Sequence, residues 1–343
     1  MSLEKVIQYA NERKISKNSR ILNVTHVDLD GIVSTINLKN HFNEVFFVQK
    51  NYDKINEYFK DVIFANRCTF KNPDFIIVTD ISLTEEVVEE CEERGINLLI
   101  LDHHETAYNL NKYDNVYVDE GEELSGAGVT LEFIKGIGFE SNKLDKLNDI
   151  ANQFDLFLFK QRPELRKFKI SGKPRSLAEM LNTLYFKSNF DKEDFIGRWL
   201  YGWGSGFTSF EVQMIKDEEK LAKENLEKIL DNPGIEVQLD EDKVLILNNQ
   251  FIVYTGEHYL DFLDKQMVIF YNPERMKFSG RVNDKSNINI GKIFQTLAKK
   301  FDFVGNGGGH EKAGGGNLLS NDHLEKFIES VVKLAQYYSK EKK

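Results

Sequence analysis

The run INLLILDHHET, Ile96 to Thr106, decides the reading of this chain, because an aliphatic stretch ends abruptly in an acid and two histidines. Asn97 to Leu101 shows no polar alternation, so as a strand it must be covered on both faces, as the strands of a buried parallel sheet are. Asp102, His103 and His104 then stand at its carboxyl end, where open α/β sheets bind ligands. Two further strands break in the same way: Arg20 to Thr25 runs into His26, Asp28 and Asp30, and Asp74 to Thr79 runs into Asp80. A DHH triplet alone is weak evidence. Three apolar strands that each end in Asp or His point to one convergent site.

Outward from these strands, an amphipathic helix is expected over residues 1–18, followed by helices at Ile32 to Phe42, Ile55 to Asn66 and Thr84 to Arg94, with a strand at Val45 to Val48. Ser82 or Thr84 ahead of Glu85 and Glu86 gives the third of those helices a capping signature. Alternation of this kind implies an α/β fold, a parallel sheet with helices on both faces. A strand at Val116 to Val118 and a helix at Gly128 to Lys135 extend it, and the pattern then turns helical from Asn142 to Leu230. The long charged helix from Phe207 to Leu230 ends at Asp231, Asn232, Pro233 and Gly234, the best boundary in the chain. Short strands return at Val244 to Leu247, Phe251 to Tyr254, Met267 to Tyr271 and Lys277 to Val282, then a helix at Ile290 to Lys300, a glycine-rich loop and a closing helix from about Asp322. The expected organisation is a catalytic domain over 1–205, a helical connector over 206–234, and a smaller α/β C-terminal domain over 235–343 that forms a cleft with the first.

With 343 residues, 41% of them hydrophobic, the chain is long enough for two domains with real cores. The N-terminus is charged, and no stretch approaches the roughly 20 apolar residues that span a bilayer, so a cytoplasmic protein without membrane association is expected. Cys68 and Cys91 have no metal-ligand spacing and read as reduced and structural. The net charge of −10 argues against coating long nucleic acid by bulk electrostatics. It does not argue against a nucleic-acid substrate at a site whose bound cations are the largest local charges.

In THVDLDG, His26, Asp28 and Asp30 alternate, so extended backbone would send all three to one face, about 6.5 Å apart, in reach of neighbouring ions. Gly31 then allows a tight turn into the next helix. With Asp80 and His103 from adjacent strand ends, the inventory suits two divalent cations, and mixed carboxylate and imidazole ligation favours Mn²⁺, with Mg²⁺ or Co²⁺ as substitutes. One acid must be shared to hold ions roughly 3.5 to 4 Å apart, and Asp80 on the central strand is the candidate. An EF-hand is excluded, since its first and twelfth positions would be His26 and Asn37. DLDG also looks like a haloacid-dehalogenase nucleophile motif, but that reading leaves His26, His103 and His104 idle and puts Ile32 where Thr or Val is usual. Ordinary surface acids would explain any one of these residues, not seven at three equivalent positions.

So assembled, the sequence resembles the DHH phosphoesterase superfamily, whose members include RecJ-type single-strand exonucleases, nano-RNases that also dephosphorylate pAp, cyclic-dinucleotide phosphodiesterases and family II pyrophosphatases. HVDLDG matches its first motif, the Asp80 strand end the second, DHH the third, and Asp155 in DIANQFDLF the fourth. The resemblance implies that His26, Asp28 and Asp80 hold one ion, that Asp30, Asp80, His103 and Asp155 hold the other, and that His104 lies beside the substrate phosphate. GNGGGHEKAGGG, Gly305 to Gly316, resembles the GGGH signature of the DHH-associated C-terminal domain, and Arg281 in FSGRV matches that domain's substrate-binding arginine. Consecutive glycines can turn backbone N–H groups into an anion-binding nest, so Gly307, Gly308, Gly309, His310 and Lys312 join Arg281 as candidate substrate contacts, although glycines also serve pure geometry.

The expected activity is two-metal hydrolysis of single-stranded DNA or RNA, or of short oligonucleotides, from an end to mononucleotides, with Asp80 and His104 as its catalytic residues. HVDLDG, with no Pro before its acids, looks closer to the RecJ-type exonucleases than to nano-RNases, but no room is expected for the extra OB-fold of the RecJ proteins. Seven Lys or Arg between Lys160 and Arg175, near Phe157, Phe159 and Phe168, suit a short strand, and suit a solvated face equally well. The alternatives are a pAp phosphatase or cyclic-dinucleotide phosphodiesterase and, in another class, an inactive nucleotide-binding regulator, which would have lost ligands that are all present here.

Overall fold

The apolar runs that end in Asp or His lie side by side. Strands β1 (Arg20–Thr25), β2 (Glu44–Gln49), β3 (Phe75–Thr79), β4 (Leu98–Asp102) and β5 (Val116–Val118) form one parallel sheet in the order β2-β1-β3-β4-β5. The computed structural model describes residues 2–121, 123–138, 142–156, 168–170, 173–185, 194, 197–198, 207–231, 235–239, 242–248, 267–283 and 286–341. The chain divides into two compact units, Met1–Lys216 and Asp217–Lys343. No helix among the described residues is long and apolar enough to cross a membrane.

Side chains of a strand alternate between faces, and here each face has its own core. Leu22, Val24, Ile76, Val78, Leu98 and Ile100 pack with Ile55 and Phe59 of α3 (Ile55–Tyr58, continued by a π turn, Phe59–Ile63) and with Val87, Val88 and Cys91 of α4 (Glu85–Glu93). Ile21, Phe75, Ile77, Leu99 and Leu101 face α1 (Leu3–Glu12), α2 (Leu29–His41) and α5 (Gly126–Gly136) through Val6, Leu38, Phe42, Val129 and Phe133. A one-residue slip would exchange the two sets, and each fully buried aliphatic side chain is worth about 1.5–3 kcal/mol, so burial on both faces fixes the register. A third core joins α2 and α5 to α6 (Asn142–Asp155) and the helix Leu177–Tyr185.

The order 2-1-3-4-5 reverses direction at β1 and β3, and doubly wound sheets bind ligands at that switch point. Thr25 pairs with Thr79 and Thr79 with Leu101, so His26, Asp80 and Asp102 stand level at the carboxyl edge. Beneath them runs a buried polar network. Asn23 Nδ2 donates to Ile77 O and Thr79 Oγ1, Thr35 Oγ1 donates to Asn23 Oδ1 at 2.7 Å, and Thr25 Oγ1 lies 3.0 Å from both Gly31 O and Thr79 O. These bonds pin β1, β3 and α2 together at the level where the site begins.

Several expectations are corrected. The cap of α4 is formed differently: Thr84 is its N-cap but makes no side-chain cap, its N–H and hydroxyl going to Asn56 Oδ1, while Ser82 bonds Asp102. The stretch after Asn142 is not all helical, since β6 (Phe168–Ile170) and β7 (Lys173–Arg175) form an antiparallel pair. The rest of the basic run, with Phe157 and Phe159, lies outside the described residues, as does the Phe251 to Tyr254 strand.

In the second unit, β8 (Ile235–Leu239), β9 (Asp242–Asn248), β10 (Met267–Asn272), β11 (Lys277–Val282), β12 (Val304–Gly309) and β13 (Ala313–Leu318) form one sheet in the order β12-β13-β11-β10-β9-β8. Neighbours run antiparallel except β9 and β10. The expected glycine loop is therefore two paired strands joined by a short turn, and two of its glycines, Gly307 and Gly314, pack against a helix. A Cβ on Gly307 would lie 2.6 Å from Phe294 O, and one on Gly291 of the helix Ile290–Lys300 would lie 2.2 Å from Gly309 O. Side chains there would lift the helix off Phe278 and Phe327, the centre of this unit's core.

Helix propensity favours Ala over Gly by about 0.8–1.0 kcal/mol, whereas forcing atoms into a packed site costs about 1–3 kcal/mol. Gly291→Ala is therefore expected to lower stability, read as a lower denaturation midpoint at unchanged m. A stabilised variant would show that the helix does not need this close approach.

Candidate metal centre

The site begins where β1 stops. His26 follows the strand, Asp28 is the N-cap of α2, with Oδ1 accepting from Gly31 N at 3.0 Å, and Asp30 lies in the helix's first turn. The three do not share one face of an extended strand, as expected from their alternation. They converge because strand gives way to helix within two residues, and Gly31 makes room: a Cβ there would lie 2.4 Å from His26 O. Asp80 ends β3 with φ 57°, left-handed backbone that non-glycine residues seldom adopt and that often marks a functional position.

Potential ligand atoms cluster along this edge: His26, Asp28 and Asp80 form one group, Asp30, His103 and Asp155 another, and Asp80, Asp102, His103 and His104 a third that overlaps both, the atoms within each lying within 4.8 Å of one another. Asp80 faces both: its Oδ2 is 3.8 Å from His26 Nδ1 and its Oδ1 3.4 Å from His103 Nε2. His26 Nδ1 is 2.5 Å from Asp28 Oδ2, while His103 Nε2 is 3.3 Å from Asp155 Oδ2 and 3.9 Å from Asp30 Oδ2. Asp155, the last residue of α6, is thus brought in from a helix.

Asp30 is 3% and Asp80 1% exposed, and Oδ2 of each accepts no hydrogen bond among the described residues. Two unit charges about 4 Å apart repel by about 4 kcal/mol at a typical effective dielectric, more than the roughly 1.5–3 kcal/mol of one hydrogen bond to a charged group. Burial, and then the charges of Asp28, Asp30 and Asp155, push the Asp80 carboxyl well above its usual range. Burial and the neighbouring acids raise Asp155 and Asp30 too. Burial would also raise Asp28, but the adjacent His26 overrides it and holds that carboxyl low. Orphaned acid oxygens beside two imidazoles fit a divalent pair, and the inventory of carboxylates and histidines without cysteine is that of hard or borderline cations.

Asp102, buried at the end of β4, takes a different part. Its Oδ1 lies 2.7 Å from His104 Nδ1 and accepts from His103 N at 2.8 Å, and its Oδ2 accepts from Ser82 Oγ at 2.5 Å. Burial would lower the His104 pKa, but the Asp102 carboxylate outweighs it and carries it up to about 9. Asp102 thereby orients the His104 ring and favours its protonated form.

Sequence reasoning missed Ser125, Gly126 and Ala127. Asp30 Oδ1 accepts from Ser125 Oγ at 2.6 Å and from Ala127 N at 3.1 Å, so the amino end of α5 holds this acid. A Cβ on Gly126 would lie 2.6 Å from Asp80 Cβ. The only signal was a serine before Gly-Ala-Gly at a helix start, which reads as an ordinary cap. It missed Tyr52 as well, whose ring lies 5.1 Å from that of His26 and 5.4 Å from that of His104.

In the second unit, Arg281 Nη1 donates to Ser279 Oγ and Gly280 O. Lys312 Nζ donates to Ser286 O and lies 3.4 Å from Glu311, so its charge steadies the neighbouring loop. Gly307, Gly308 and Gly309 pair with Gly316, Gly315 and Gly314 in the hairpin, and His310 N donates to Ala313 O at its turn.

Fold and site define an α/β protein with a candidate dinuclear centre of carboxylates and imidazoles at the switch point of a parallel sheet. Residues 20–156 match the DHH family, N-terminal domain, and residues 257–336 the DHHA1 domain, together more than half of the chain. The chain belongs to the DHH phosphoesterase superfamily. It is 26% identical over 179 residues to the oligoribonuclease NrnB of Bacillus subtilis, a match covering 49% of this chain and 42% of that relative. The chain therefore spans less than half of that relative's length. Its fold is similar to that of RecJ from Thermus thermophilus in complex with Mn²⁺, at TM-score 0.64 and 16% identity, covering 98% of this chain and 55% of that one. It is also similar to PggH from Vibrio cholerae, a pGpG-specific phosphodiesterase, at TM-score 0.52 and 15% identity, covering 93% and 100%.

Asp80→Asn keeps the volume, tolerates left-handed backbone and removes one buried charge. The metal-free variant is expected to melt above metal-free wild type. Mn²⁺ at a hundred times its Kd should stabilise wild type by about 2.7 kcal/mol and the variant far less. Equal Mn²⁺ shifts in both proteins, by scanning calorimetry, would remove Asp80 from the ligand set.

Proposed function

We propose that this protein is a divalent-metal-dependent phosphodiesterase that degrades single-stranded nucleic acid, short oligonucleotides above all, from an end to mononucleotides. The observation that carries the reading is the Asp80 carboxylate, whose two oxygens face two separate ligand groups. His26, Asp28 and Asp80 would hold one ion and Asp30, Asp80, His103 and Asp155 the other, with Mn²⁺ preferred and Mg²⁺ or Co²⁺ as substitutes. Such a pair, when bound, polarises a phosphoryl oxygen and acidifies a water enough to make it nucleophilic at neutral pH.

The chain's own residues do the positioning. Ser125 and the amino end of α5 fix Asp30, Gly31 N fixes Asp28, and the β1–β3 polar network sets the level of His26 and Asp80. His104, protonated at neutral pH and oriented by Asp102 through Nδ1, presents Nε2 to a phosphoryl oxygen and stabilises charge that grows there. Arg281 is the proposed phosphate contact of the second unit, its planar fork suiting bidentate binding, and His310 is proposed in the same role. Short substrates are supported by two similar proteins, one named an oligoribonuclease and the other specific for a dinucleotide. Work in the cytoplasm, with Cys68 and Cys91 reduced, belongs to the same reading.

The test is product analysis with Mn²⁺ on end-labelled single-stranded DNA and RNA of several lengths, with pAp and cyclic dinucleotides alongside, for wild type and Asp80→Ala. Mononucleotides released from one end, and a loss of rate of at least about 100-fold in the variant, are expected. Cleavage of pAp or a cyclic dinucleotide alone would replace the substrate. Absence of cleavage with metal bound would favour a nucleotide-binding regulator.

A further inference from the structure

Tyr52 stands where no folding requirement puts an aromatic ring. Lys50 N donates to Thr25 O at 2.8 Å and Gln49 Nε2 donates to His26 O at 2.9 Å, which ties the end of β2 to the end of β1. A turn follows in which Lys54 N and Ile55 N both donate to Asn51 O. That turn sets the Tyr52 ring between histidines from two strand ends, tilted 52° to His26 and edge-on at 76° to His104. Tyr52 is 41% exposed and joins none of the four apolar cores. Its supports, His26 and His104, are mostly buried, with side chains 18% and 12% exposed. The ring is thus flanked by the two imidazoles, with its phenol pushed up by burial and by the charges of Asp102, Asp80, Asp28 and Asp155, while part of its surface stays exposed.

We infer that Tyr52 is the base-contacting residue of this site, a platform on which the nucleobase next to the reacting phosphate stacks. The inference rests on the proposed phosphodiesterase reading and names what that site selects for. Every base has a π-face, so a stacking platform is indifferent to base identity and discriminates against phosphodiesters that carry no base. Between His26 of one ligand group and His104 at the rim, the platform is close enough to the centre to position the nucleotide whose phosphate is attacked. Stacking of one base on an aromatic side chain corresponds to about 5- to 150-fold in affinity. Tyr52 is accordingly a specificity and positioning residue, and its loss should appear in binding and KM rather than in kcat.

The test titrates wild type, Tyr52→Phe and Tyr52→Ala by calorimetry with adenosine 5′-monophosphate and with ribose 5-phosphate in Mn²⁺, and assays all three on a dinucleotide. Wild type and Tyr52→Phe are expected to prefer the base-bearing ligand by about 5- to 150-fold. In Tyr52→Ala the preference collapses, ribose 5-phosphate binds as before, and KM for the dinucleotide rises by the same factor at unchanged kcat. An unchanged preference in Tyr52→Ala overturns the inference, as does a Phe variant as impaired as Ala, which would assign the effect to the hydroxyl. If wild type cleaves no dinucleotide yet shows the Tyr52-dependent preference, the platform stands and the hydrolytic reading falls. If wild type cleaves the dinucleotide and the preference ignores Tyr52, the hydrolytic reading stands and the platform falls.

Discussion

Asp28, Asp30, Asp80 and Asp155 are drawn into one pocket beside His26, His103 and His104, and the mutual repulsion of these acids is the interaction on which the rest of the first unit depends. At a few ångströms each pair of charges costs more than one hydrogen bond returns, so the arrangement persists only because the surrounding fold over-determines it. Burial on both faces of the sheet sets the register that brings His26, Asp80 and Asp102 level, and the polar network under β1 and β3 locks it. Asp80 with its left-handed backbone and Gly126 close against it belong to the same crowded edge.

Two carboxylates of similar burial take opposite parts because of their neighbours. Asp80 is surrounded by other acids and is pushed up; Asp102 has a serine hydroxyl, a backbone N–H and an imidazole, and is held low. The first is the proposed shared cation ligand, and the second already has hydrogen-bond partners within its own chain. The division gives the three residues of the DHH triplet different neighbours. Asp102 holds the histidine two residues on, and His103 alone turns inward to Asp30, Asp80 and Asp155.

The second unit shows how a motif keeps its residues and changes its physical meaning. The glycines of Gly305 to Gly316 suggested a loop shaped for an anion, whereas in the fold they are strand residues, and the missing Cβ atoms of Gly307 and Gly314 let a helix lie against the sheet. Lys312 is likewise turned to a backbone carbonyl. Composition alone does not separate these two uses, because both demand backbone without side chains.

The sequence by itself determined the parallel strands and the chemistry at their ends. An aliphatic run can be a buried strand on few terms, and Asp or His directly after it has one place to go. His26, Asp28, Asp30, Asp80 and His103 were legible because they sit within a few residues of β1, β3 and β4. The alternation argument gathered the first three for the wrong reason, since strand had already turned to helix at Asp28. Asp155 was named only through its resemblance to the family's fourth motif, and tertiary structure alone decided the rest: that Ser125 and Ala127 hold Asp30 from 95 and 97 residues away, that Asp102 serves His104, and that Tyr52 leans on two histidines. These are contacts through space between segments with no shared periodicity, and their energy is gained only once the sheet has closed and brought the segments together.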